Sequence, residues 1–179
     1  MSHRTSVTRG RQLLTLLSLL ALAVTAGAAG AASPPTGSPE QRQSISDLRT
    51  VGTAMFTWYS DQMHARPKKA GGKHGKSKGA EPKSVDVAGI PVISHDDLAK
   101  LLVPKYIVDL PSKDGWGNPY EFRLSTQDLD AQRIMAMRSG GGDGKFSGDS
   151  YEIGSFAPAD QGQDLVWVDG YFSRWPQAQ

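Results

Sequence analysis

Between Ser38 and Met63 the apolar side chains return every three or four positions: Ile45, Leu48, Val51, Met55, Trp58 or Tyr59, and Met63. That spacing draws one stripe along a helix of about 25 residues, about 37 Å long, so a whole face of another element is needed to cover it. Its start is written locally. Ser38 is placed to cap, Pro39 fits the first helical position where no amide donor is required, and Gln41 stands three residues on to close a capping box. Gly52, inside the stripe, permits close approach of a strand or helix at some cost in propensity. A second capping box, Ser94 to Asp97, opens a short helix through Leu101 or Leu102, which Pro104 ends.

Further on, the period shortens to two. Arg133 to Ser139 alternates Ile134, Ala136 and Arg138 with Met135 and Met137, the pattern of a buried strand. Gly115, Gly117 and Pro119 form a tight turn before an extended run from Tyr120 to Leu124. In "DLVWVDGYFSRWP", Asp169-Gly170 suits a two-residue type I′ turn between Val166-Trp167-Val168 and Tyr171-Phe172. One long helix, a loop-rich middle and several antiparallel strands make an α+β fold: the helix packs on a small antiparallel sheet.

Composition trims this picture at two places. The first is residues 1–31, where Arg4, Arg9 and Arg11 precede the uncharged run Leu13 to Val24 and then "AGAAGA", which is the form of a secretory signal cleaved after Ala28 or Ala31. The alternative is a retained anchor, because Leu13 to Ala32 carries no charge and about 20 apolar residues span a bilayer. Residues 32–37 are a linker, and 38–176 the folded domain. The second place is the run 66–83, which has seven basic residues, one acid and no large apolar side chain. It reads as a disordered, solvated insertion. Without residues 1–31 the chain has 17 basic and 18 acidic residues, so its slight positive charge of +2 belongs to the signal and not to a nucleic-acid surface. There is no cysteine, so an exported domain goes without disulfides.

Candidate chemistry gathers in "SGGGDGKFSGDSYEIG", Ser139 to Gly154. A phosphate-binding loop needs Gly, four residues, then Gly-Lys-Ser/Thr, but here Gly144-Lys145 is followed by Phe146 and preceded, five residues back, by Ser139. A hard cation suits the segment better: Asp143, Asp149 and Glu152 supply three acids within ten residues, and the glycines let the chain curl. Catalytic groups are sparse. His64, His74 and His95 stand alone, without the paired spacing of a zinc site. Trp116, Trp167 and Trp175 read as core or hairpin packing, or else as an aromatic carbohydrate-binding face.

Three stretches, "ISDLRTVGTAM" (Ile45 to Met55), "LLVPKYIVDLPSKDGWGNPYEF" (Leu101 to Phe122) and "SGGGDGKFSGDSYEIG", resemble the periplasmic domain of protein G, the major pseudopilin of bacterial type II secretion systems. The resemblance implies a pilin-like fold, no enzymatic activity, and protein partners such as pseudopilins or secretion machinery. It implies calcium in the loop after the middle strands, with Asp143 matching the family's "DG" aspartate, Asp149 and Glu152 in its acidic cluster, and carbonyls near Gly140 and Lys145 completing the shell. At the N-terminus the chain departs from that family: Thr15 stands where the assembly glutamate belongs, and "AGAAGAASPPTGSP" interrupts what should be one continuous helix. The expectation is therefore an exported, pseudopilin-like protein, periplasmic or secreted, that does not polymerise. A membrane-anchored assembling pseudopilin is the alternative, with membrane contact only through a retained N-terminus. An extracytoplasmic carbohydrate binder or hydrolase is a third.

Overall fold

A computed structural model of the chain describes residues 37–67 and 82–177. The expected signal over 1–31, the linker apart from Gly37, and the insertion from 68 to 81 lie outside the described residues.

Helix α1 spans Pro39–Ala65 and starts as its sequence dictates: the Ser38 hydroxyl accepts from the Gln41 amide at 3.2 Å, and Gln41 Oε1 accepts from the Ser38 amide at 3.0 Å. Leu48, Val51, Ala54, Met55 and Trp58 are buried along its stripe, while Ile45 and Tyr59 pack at the margin. Helix α2, His95–Leu102, opens on the Ser94 cap and inserts Leu98 and Leu102 into the same core.

Eight short strands follow in chain order: β1 (Ser84–Asp86), β2 (Val92–Ile93), β3 (Glu121–Leu124), β4 (Met135–Ser139), β5 (Ser150–Glu152), β6 (Gly154–Phe156), β7 (Leu165–Val168) and β8 (Tyr171–Pro176). Six of them form one sheet in the order β2-β3-β4-β7-β8-β6, and β1 and β5 pair as a separate ribbon. The expected all-antiparallel sheet is in fact mixed, because β6 runs parallel to β8. The reason is connectivity: the β7–β8 hairpin slots between β4 and β6, and β8 then travels in the direction β6 has already taken.

That hairpin turns as expected. Asp169 and Gly170 both have positive φ, 45° and 108°, as a type I′ turn requires. Asp169 Oδ1 also accepts from the amides of Ile134 and Met135, each at 3.0 Å, which ties the turn to the start of β4.

All of β4 and β7 is buried, so both faces of the sheet centre are covered. On one face Phe122, Leu124, Met135, Met137, Leu165 and Trp167 pack under α1 and α2. At Gly52 helix and sheet approach closely: a Cβ built there would lie 2.5 Å from the Trp167 indole. On the other face Ala136, Val166 and Val168 meet Val85, Val87, Ile90 and Tyr151 from the β1–β5 ribbon and its connections. Among the described residues no helix is long and apolar enough to cross a membrane.

Candidate functional site

The glycine-rich loop leaves β4 at Ser139 and is stitched at once to two neighbours. Ser139 Oγ donates to Asp114 Oδ2 at 2.5 Å and accepts from the Gly141 amide at 3.1 Å. Asn118 Nδ2 donates to the Gly141 carbonyl at 2.8 Å, and the Gly142 amide donates to the Gln161 carbonyl at 2.7 Å. Asp114, only 6% exposed, also accepts from the amides of Trp116 and Asn118 and so shapes the "DGWGN" turn. The turn in turn meets α1: the Gly115 amide donates to Ser44 Oγ at 3.0 Å, and a Cβ on Gly115 would lie 2.2 Å from the Glu40 carbonyl oxygen. Glycine is the residue that permits this contact.

The expected calcium ligands fall into different surroundings. Asp143 is exposed at the end of a short 3₁₀ turn, Gly141–Asp143, and its Oδ1 accepts from the Lys145 amide at 2.9 Å, which closes the loop on itself. Gly140 is buried and Lys145 exposed. Glu152 sits on β5 opposite Ser84 and is exposed, while its neighbour Tyr151 turns inward. Asp149 Oδ1 accepts from two guanidiniums, Arg138 Nη2 at 2.8 Å and Arg123 Nη2 at 3.1 Å. Among the described residues no three His, Asp or Glu side chains gather as a metal site. Asp143, Asp149 and Glu152 are thus not gathered as one side-chain group, and an ion at Asp149 Oδ1 would face two guanidiniums already bonded to that oxygen.

Three buried polar side chains that sequence reasoning passed over sit beside this loop. Arg123 and Arg138 project from β3 and β4 onto the ribbon side of the sheet, with side-chain exposures of 9% and 4%. Glu121 Oε1 accepts from Arg123 Nε at 2.5 Å and from Arg138 Nε at 2.9 Å. Burial works against the Arg138 charge, but Glu121 and Tyr151 more than offset it and raise its pKa above the ordinary value. Burial first, and the Asp164 carboxylate second, push the Tyr151 phenol well above its usual range. Asp164 is itself 3% exposed: Oδ2 accepts from the Ser147 amide and hydroxyl at 3.0 and 2.9 Å, and Oδ1 has no hydrogen-bond partner among the described residues. A signal for the arginines does exist in the sequence, since Glu121, Arg123 and Arg138 share the parity of one sheet face across paired strands.

Nε2 of His95 bonds the Leu110 carbonyl at 2.9 Å, and that contact, with Asp96 next, raises its pKa. His64 is exposed and bonds the Ser60 carbonyl within its own helix, and His74 lies outside the described residues. Trp167 is core, Trp116 bonds Gln161 at the loop, and Trp175 lines a groove with Ile45, Arg49 and Phe172.

The chain matches no family model, no curated protein and no solved structure at a significant level.

Proposed function

We propose that this chain is a non-enzymatic, exported, pseudopilin-like protein, similar to protein G of type II secretion systems, that acts through protein contacts in the periplasm or outside the cell. One observation carries the reading. The three stretches that resemble protein G are adjacent in space, because the "DGWGN" turn is bonded to α1 through Gly115 and Ser44 on one side and to the glycine-rich loop through Asp114, Asn118, Ser139 and Gly141 on the other. A long capped helix over one sheet face, joined to the loop by that turn, is the arrangement a pilin-like domain would need. The polar groups beside the loop bond one another and the backbone, which suits a structural module more than a reaction centre.

The deciding experiment is N-terminal sequencing of the mature protein recovered from the extracytoplasmic fraction. A start at Ala29 or Ala32 supports export by a cleaved signal. A start at Arg11 sinks that reading in favour of the anchored, assembling pseudopilin, and recovery of the intact chain from the cytoplasm sinks both.

A further inference from the structure

We infer that Arg123 and Arg138 together take the place of a bound cation at the Ser139–Gly154 loop, so that the loop and the β1–β5 ribbon are held by a built-in pair of guanidiniums and need no metal.

The geometry points to this through the number of segments the pair gathers. Arg138 belongs to β4, and its Nη1 donates to the Gly148 carbonyl at 2.5 Å and to the Tyr151 hydroxyl at 2.7 Å, one in the loop and the other on β5. Arg123 belongs to β3, and its Nη1 donates to the carbonyls of Val87 and Ile90 at 3.0 and 3.1 Å, in the connection between β1 and β2. Both reach Asp149 Oδ1 and both reach Glu121 Oε1. Backbone carbonyls and two carboxylates drawn in from several segments are the donor set a hard cation would collect. Here two planar forks of N–H donors collect it.

Charge and access agree. Two arginines against Glu121 and Asp149 make a neutral quartet, and a buried charge survives only when it is paired and hydrogen-bonded in this way. Phe146 lies over the Arg138 guanidinium, with Cζ 4.2 Å from the ring centroid, so the loop also covers the cation that holds it. A divalent ion entering at Asp149 Oδ1 would have to displace two charge-assisted bonds, and one entering anywhere on that carboxylate would sit beside two guanidinium charges. This inference rests on contacts alone and stands whichever way the export question is answered.

The test is hydrogen–deuterium exchange on the full mature chain, following peptides over 140–156 and 82–92, in EDTA and with added calcium chloride. Equal protection in both conditions is expected. Arg138→Met should speed exchange of those peptides by about tenfold or more while α1 keeps its protection. If Arg138→Met does not fold, Asp149→Asn serves instead, since that side chain is 44% exposed. It should speed exchange of the same peptides several-fold and give no calcium response. Calcium-dependent protection of the unaltered chain overturns the inference, and so does unchanged exchange at 140–156 in the folded variant.

Discussion

Met137 and Arg138 are consecutive on β4 and both buried, yet they face regions held by different physics. Met137 enters a core of large apolar side chains under a 27-residue helix, where stability comes from area removed from water and from close packing. Arg138 enters a thinner layer: two three-residue strands and their connections bring a few apolar side chains, Val85, Val87, Ile90 and Tyr151, against the sheet. So short a ribbon has little apolar surface to bury, and directed bonds from two arginines fix its position. The ribbon face has one arrangement in which every guanidinium bond is made, and removing one partner of such a network leaves a buried charge uncompensated.

The contrast can be broken from either side. The largest effect is expected for Trp167→Ala, which removes the ring that meets Gly52 and should cost about 3–5 kcal/mol, with all regions melting together in a denaturant titration. Loss confined to part of the molecule would show that this core is not the shared foundation. Next comes Glu121→Gln on the opposite face. Removing one carboxylate leaves two nearly buried guanidiniums sharing the single carboxylate of Asp149, at a cost of about 2–3 kcal/mol, below the usual range for buried pairs because Glu121 is 20% exposed. Exchange should rise first at 82–92 and 146–152. Exchange that rises equally under α1 would erase the distinction between the faces.

Gly52→Ala sharpens the comparison by setting two effects against each other. Alanine favours a helix by about 1 kcal/mol over glycine, but its methyl would lie 2.5 Å from the Trp167 ring, so a net loss of about 1–2 kcal/mol is expected. Combining Gly52→Ala with Trp167→Leu should recover part of that loss, which a double-mutant cycle on urea midpoints would reveal as coupling. The smallest effect belongs to His95, at the edge of the helix side. Its folded pKa is raised above 6.5, chiefly by the Leu110 carbonyl, so protonated His95 adds stability that is fully present below 6.5 and is lost as pH rises through the folded pKa. The melting-temperature gap between the unaltered chain and His95→Gln should therefore narrow as pH is raised. A gap that widens would mean the ring is preferred neutral.

How much of this was legible depended on distance along the chain. The Ser38 cap, the α1 stripe and the Asp169-Gly170 turn are governed by residues within a few positions of one another, and the structure forms all three, except that the buried stripe ends at Trp58 and Met63 lies outside the core. Position 52 was legible as a place of close approach, though not that Trp167 would be what approached. The β1–β5 ribbon was not, because three residues are too few to show a period. Asp149 illustrates the limit best. By composition it is one acid in a glycine-rich loop, but its partners come from β3 and β4, one of them 26 residues upstream, and no local pattern announces that pairing. The mixed edge of the sheet escaped for the same reason, since a hairpin can be seen in sequence while the gap it fills cannot.

That inserted hairpin also sets an order of events. β6 is complete in the chain at Phe156, but its partner in the sheet is β8, with Gly154 opposite Arg174, about 20 residues later. β4 likewise has β3 on one side and waits for β7 on the other. The sheet cannot be finished in the sequence in which its strands are synthesised: β6 spends an interval with neither edge paired in the sheet, and the last strand to arrive closes the space between two that came before it.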